Sequence, residues 1–112
     1  MLMENTLGGL IRNGGVFADV EGKTPEEIFN NVCRNVSFPE GFDVESLISE
    51  LVEREKILST AVGNGIAIPH PRKSMVKEDA DQRIIVCYLK KPMDMSAPDE
   101  RRVSVMFILL TK

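Results

Sequence analysis

Arg54–Arg72 reads REKILSTAVGNGIAIPHPR and contains His70, the one histidine of the chain. Prolines flank that histidine on both sides, behind a short apolar run and the turn Gly63-Asn64-Gly65. Each proline fixes its own φ and pushes the preceding residue towards extended geometry, so Pro69-His70-Pro71 is expected to be a stiff, non-helical corner with an aimed side chain. Imidazole is the side chain whose ordinary titration lies near neutrality, and its neutral form has a free nitrogen lone pair, which makes it a nucleophile. Arg54 adds a planar guanidinium suited to phosphate or carboxylate oxygens, and Ser59 and Thr60 add hydroxyl donors. A phosphoryl group would find partners here.

Upstream of this stretch the chain has helical spacing. Thr24-Pro25-Glu26-Glu27 offers an N-cap hydroxyl, a proline at the first helical position and a glutamate three residues after the cap, which is the capping-box pattern. Ile28, Phe29, Val32, Cys33 and Val36 then line one face, and Ser37–Gly41 ends the helix. From Asp43 a second apolar stripe, Val44, Leu47, Ile48, Leu51 and Val52, carries a helix to Glu55 or Lys56. Arg54 and Glu55 thus end an amphipathic helix, where a solvated face is the default expectation. Nearer the start, Thr6–Arg12 reads as a short helix stopped by Asn13-Gly14-Gly15, and Val16–Val20 as a strand.

Downstream, Lys73–Gln82 is polar and mixed in charge and reads as a solvated loop. Arg83–Leu89 and Val103–Leu110 read as strands, the second, VSVMFILL, apolar on both faces as in the middle of a covered sheet. Pro92–Pro98 reads as a loop in which Met93 and Met95 fill gaps. Helices and strands mix without strict βαβ alternation, so the fold class is α/β (α+β), a mixed sheet flanked by helices.

At 112 residues this is one domain, able to bury roughly 65% of the surface its unfolded chain exposes. Apolar residues make up 43% and charged residues 28%, which places it among globular proteins and away from disorder. A net charge of −3 without a basic block argues against nucleic-acid binding. Cys33 and Cys87 are far apart in sequence and lie in apolar surroundings, as reduced core residues of a cytoplasmic protein do. Met1-Leu2-Met3 is too short for a signal h-region, and no apolar run has the length of a membrane span, so no membrane insertion is expected.

The motifs of other chemistries fail. Gly63-x-Gly65 lacks the third glycine of a dinucleotide fingerprint and precedes a strand; GxxxxGK, HExxH and GxSxG are absent. One histidine and two distant cysteines do not supply a four-ligand structural zinc site, so neither metal nor cofactor is expected. A Ser-His-acid triad is assembled in space and is not excluded by counting residues.

The run Leu51–Pro71, LVEREKILSTAVGNGIAIPHP, resembles the active-site segment of the IIA proteins of the bacterial phosphotransferase system, fructose–mannitol class, where RE, then ST, then GxGIAIPH recur at fixed spacing. The GNGIAIPH wording is most similar to the nitrogen-regulatory branch, with a dedicated sugar IIA domain as runner-up. The resemblance implies that His70 accepts a phosphoryl group from the carrier HPr or its nitrogen-branch relative, that Arg54 helps hold it, and that Thr60 is a hydrogen-bond neighbour. It implies as acceptor either a IIB domain, in fructose- or mannitol-type uptake, or regulatory protein targets, and it needs no metal or nucleotide. A binding module that acts without phosphorylation is the remaining alternative. Members of the class run on for another helix or two beyond the last apolar strand, so residues 1–112 are expected to form a single IIA-like domain short at its C-terminus. Its apolar sheet face would then be buried against a second copy in a homo-oligomer, or else the chain would be a fragment of marginal stability.

Overall fold

A computed structural model describes residues 6–112; the Met1–Met3 stretch lies outside the described residues. Three helices, α1 (Leu7–Gly14), α2 (Pro25–Cys33) and α3 (Val44–Ile57), accompany five strands. The strands are β1 (Val16–Val20), β2 (Ala61–Gly63), β3 (Ile66–Ala67), β4 (Arg83–Met93) and β5 (Val103–Leu110), and they form one mixed sheet in the order β1-β4-β5-β3-β2. β1 runs parallel to β4 and β3 parallel to β5, whereas β4–β5 and β2–β3 are antiparallel.

Each helix begins where a side-chain oxygen satisfies an otherwise orphaned amide. Thr6 Oγ1 accepts from the Gly9 amide at 3.0 Å, Thr24 Oγ1 from Glu27 at 3.2 Å, and Asp43 Oδ1 from Ser46 at 3.0 Å. In α2 the returning carboxylate of the capping box, Glu27 Oε1, accepts from the amide of Lys23 at 2.9 Å, one residue before the cap.

The core lies between one sheet face and the helix pair α2–α3. Ile28, Phe29, Val32 and Cys33 of α2 and Leu47, Ile48 and Leu51 of α3 meet Ile85, Cys87 and Leu89 of β4 and Met106, Ile108 and Leu110 of β5. Arg83, almost fully buried, pins the α2–α3 connection to the start of β4. It donates from Nη1 to the Ser37 carbonyl at 2.7 Å and from Nε to Asp81 at 3.0 Å, and its guanidinium lies 5.1 Å from the Phe38 ring centroid. Phe38 in turn stacks on Phe42 at 4.4 Å.

Three details differ from the sequence reading. β4 runs on through Pro92 to Met93, because its pairing with β1 ends at Leu89 and its register with β5 shifts between Tyr88 and Met93, so the missing proline N–H costs no ladder bond. The loop 73–82 is mostly exposed, as its polarity implies, but one of its side chains, Val76, is buried and Asp79–Asp81 form a single 3₁₀ turn. β5 is central in the sheet as expected, yet its two faces are unequal: Met106, Ile108 and Leu110 are buried, while Val105, Phe107 and Leu109 are only half-buried.

The second face is not bare, because α1 packs against β4, where Ile84 and Val86 are buried. Its approach is so close that a Cβ on Gly14 would stand 2.0 Å from the Ile84 carbonyl oxygen.

Candidate functional site

His70 follows β3 at the carboxyl end of two parallel strands, β3 and β5, the end at which open sheets with helical layers bind ligands. Pro69 is fully buried and its carbonyl accepts from the Leu109 amide at 2.9 Å, which ties the proline corner to β5. His70 itself is half-buried and opens onto a recess of about 350 Å³ with Arg72, Lys73, Ser74, Leu109 and Lys112 on its walls. Three of these side chains are cations.

The imidazole is fixed by a 3.0 Å contact between Nδ1 and the carbonyl oxygen of Ile68. A carbonyl has no proton to give, so Nδ1 is the donor and the neutral ring carries its lone pair on Nε2. Nε2 has no hydrogen-bond partner among the described residues.

The hairpin that delivers this corner is built from the Gly63-Asn64-Gly65 turn. All three residues have positive φ, 105°, 56° and 77°, which glycine adopts freely and asparagine tolerates. Asp99, from the β4–β5 connection, holds the turn by accepting from the Asn64 amide on Oδ2 at 2.8 Å and from Arg101 on Oδ1 at 3.1 Å; these bonds hold its carboxyl below the usual range. The Gly65 carbonyl accepts from Ser104 and Val105 of β5 at 2.8 and 3.1 Å.

α3 ties the other side of the corner. Glu55 Oε2 accepts from the Thr60 amide at 2.9 Å and Oε1 from the Thr60 hydroxyl at 2.8 Å, while the Thr60 carbonyl accepts from the Ile68 amide at 3.0 Å. One turn earlier, both oxygens of Glu50 meet the Arg72 guanidinium, Oε1 to Nε and Oε2 to Nη2, each at 3.1 Å. That bidentate bond, then the charge of Arg72, holds the Glu50 carboxyl below the usual range.

Of the four residues singled out from sequence, His70 and Thr60 are joined through Ile68, while the Ser59 hydroxyl donates to the Met95 carbonyl and accepts from the Ala61 amide. Arg54 is not on the wall of the recess: its Nη1 donates to the Leu58 carbonyl just past the end of α3. Sequence reasoning passed over Glu50 and Arg72 and left Glu55 on a solvated helix end, where the structure instead bonds it to Thr60. For Glu55 a signal existed, since it lies four residues beyond buried Leu51 and so continues the inward stripe of α3, where a carboxylate needs partners. A second recess, about 400 Å³, lies at the far end of β4 among Glu21, Lys23, Glu27, Asn31, Lys90 and Lys91; it contains no imidazole.

Residues 10–112 match the family described as "Phosphoenolpyruvate-dependent sugar phosphotransferase system, EIIA 2". The chain belongs to the PTS EIIA 2 family. Among curated relatives, this EIIA 2 chain is similar to a nitrogen regulatory protein of Pseudomonas aeruginosa, 42% identical over 85 residues that cover 76% of this chain and 51% of the relative. It is also similar to the nitrogen regulatory protein of Escherichia coli, 33% identical over 86 residues, 76% of this chain and 48% of the other. The EIIA 2 chain thus spans about half the length of these relatives. Among solved structures, the nitrogen regulatory protein IIA-Ntr of Neisseria meningitidis superposes with a TM-score of 0.71 at 29% identity, covering 85% of this chain and 63% of that one. The mixed five-stranded sheet with three helices therefore agrees with the fold of the IIA-Ntr proteins. No described helix is long and apolar enough to cross a membrane.

Proposed function

We propose that this EIIA 2 protein is a cytoplasmic phosphoryl carrier that accepts a phosphoryl group on Nε2 of His70 from the phosphohistidine of an HPr-type donor and serves a regulatory, nitrogen-branch role. The observation that carries this reading is the Nδ1–H···O=C bond to Ile68, which leaves the Nε2 lone pair free at the edge of a recess walled by cations.

The transfer is an in-line displacement at phosphorus. The Nε2 lone pair forms the new N–P bond as the donor's N–P bond breaks, and the donor imidazole leaves with that electron pair. Nδ1 keeps its proton, so positive charge develops on the ring and the Ile68 carbonyl is already in place to meet it. Phosphoryl transfer asks for positioning and charge neutralisation, and the chain's own residues meet both. Arg72 and Lys73 stand beside the ring, and Arg54, off the wall of the recess, has one N–H on the Leu58 carbonyl and the rest of its fork to turn towards phosphoryl oxygens.

The nitrogen-branch assignment rests on similarity to nitrogen regulatory proteins over three quarters of the chain. A sugar-specific IIA that passes its phosphate to a IIB domain is the reading to be separated from it.

Incubation with phosphoenolpyruvate, enzyme I and an HPr-type carrier tests the proposal. One phosphoryl group per chain is expected, acid-labile and alkali-stable as phosphohistidine is, and absent from His70→Ala. Labelling of His70→Ala as strong as that of the parent overturns the reading. Onward transfer of the label to a IIB domain at a rate matching a sugar IIA would move the protein to the uptake branch.

A further inference from the structure

We propose that Glu55 is a positioning residue for His70: through Thr60 and Ile68 it sets which imidazole nitrogen carries the proton and where the other one points. The inference rests on the phosphocarrier reading for its consequence, but not for its geometry.

Four hydrogen bonds connect the two side chains. The Glu55 carboxylate takes both the amide and the hydroxyl of Thr60, at 2.9 and 2.8 Å. The Thr60 carbonyl then accepts from the Ile68 amide at 3.0 Å, and the carbonyl of Ile68 accepts from Nδ1 of His70 at 3.0 Å. Every link is short and each joins a donor to an acceptor; the Ile68 amide held by Thr60 and the Ile68 carbonyl that meets Nδ1 lie in adjacent peptide planes that share one Cα, so the aim of that carbonyl depends on where Thr60 holds the strand. Only Glu55 bonds Thr60 from the helix side.

The ladder alone does not supply this restraint. β2 and β3 are paired at two register positions, Ala61 with Ala67 and Gly63 with Ile66, and the register shifts between them. The Thr60–Ile68 bond lies just beyond that irregular pair, at the open end of a hairpin whose β3 has two residues. A segment this short pivots unless something outside it is fixed. On one side of β3 that is β5, paired at Ile66 and Ala67 and bonded from Leu109 to Pro69; on the Thr60 side it is α3, fourteen residues long and packed into the core through Leu47, Ile48 and Leu51. Glu55 stands on the same stripe and transmits that rigidity to the hairpin; Glu50, bonded to Arg72, does the same on the far side of the histidine.

Because His70 is the single histidine, ¹⁵N-histidine labelling of the full chain yields one imidazole spectrum. Long-range ¹H–¹⁵N correlations then read the tautomer without any donor protein. In the parent the neutral ring is expected to be predominantly Nδ1–H. Glu55→Ala is expected to raise the Nε2–H fraction and to slow phosphoryl acceptance by on the order of 10-fold, the scale of a misaimed reacting group. Glu55→Gln keeps an acceptor and a donor in the same place, and the Thr60 hydroxyl turns to accept, so both the tautomer and the rate are expected to return to the parent's. Should Glu55→Ala not fold, Thr60→Val, which keeps the amide bond and loses the hydroxyl one, is expected to shift the tautomer in the same direction by less.

An unchanged tautomer in the folded alanine variant overturns the proposal, as does a glutamine variant that fails to restore it. The two readings separate cleanly: expected spectra in a protein that never accepts phosphate sink the carrier reading alone, and normal phosphorylation with indifferent spectra sinks the role of Glu55 alone.

Discussion

The motif offers a phosphoryl group one arginine, Arg54 at the end of α3, and the structure puts a different one, Arg72, on the wall of the His70 recess. Arg54 caps the carbonyl of Leu58, and Arg72 stands in the recess but is engaged by Glu50. Arg54→Lys keeps a cation at the end of α3 and loses the fork, so it should slow phosphoryl acceptance with little change in melting temperature. Equal transfer rates for Arg54→Lys, Arg54→Ala and the parent would return this arginine to a capping role. The Glu50–Arg72 pair has a signature in acid. Its carboxyl is held below the ordinary range in the folded state, so the stability it contributes is present above the unfolded pKa of about 4.3 and is lost as pH falls through the lower, folded value. Glu50→Gln removes this dependence, and urea midpoints measured from pH 7 down to pH 3 should fall less steeply than the parent's. The histidine, the glycine turn and the proline corner were legible in sequence because each is local chemistry at fixed spacing. The partner of Arg72 was not, since an ion pair across 22 residues leaves no periodic trace, and that of Thr60 left only the place of Glu55 on the inward stripe of α3.

Elements were legible in proportion to how much their own residues decide them. The caps at Thr24 and Asp43 marked α2 and α3 correctly, and Thr24→Ala is expected to lower unfolding free energy by about 1 kcal/mol, measurable by urea titration. The start of α1 near Thr6 was legible only weakly, with Gly8 and Gly9 in its first turns, and the reason for glycine at its far end was not legible at all, because that reason lies in β4. A side chain on Gly14 meets the Ile84 carbonyl at 2.0 Å, a distance no rotamer relieves. Gly14→Ala therefore has to push α1 off the strand and should cost about 3 kcal/mol or more, as overpacking against backbone does. Gly8→Ala, with nothing within 4 Å of the new methyl, serves as the control and should stabilise the helix slightly. The extension of β4 through Pro92 was hidden for the same kind of reason: a proline is compatible with a strand only where neither neighbour asks for its proton, which is a property of the sheet and not of the strand.

At the scale of the molecule the two thiols report on the core. Cys33 on α2 and Cys87 on β4 are fully buried, and burial pushes both thiols up to about 12. A folded pKa above the unfolded value of 9.0 means stability that is intact below pH 9.0 and drains away as pH rises towards about 12, since only the unfolded thiols ionise in that window. Alkaline denaturation should therefore become steeper across that range. Near neutrality both thiols should react with an aromatic disulfide reagent at a single slow rate set by global opening, and fast labelling of one of them would show that its side of the core opens by itself.

The supports of the histidine corner also have an order in time. The turn at residues 63–65 closes on itself, but Asp99 steadies it from 35 residues further on, Ser104 and Val105 bond its carbonyl, and Leu109 holds Pro69. In a polypeptide leaving the ribosome N-terminus first, His70 emerges before any of these residues does. During synthesis the loop is present without its wall, with its backbone free to pivot and its imidazole sampling both tautomers. On the proposed function, competence as an acceptor is a late acquisition, gained only once β5 has been threaded between β4 and β3, so an unfinished chain carries the motif without the reactivity.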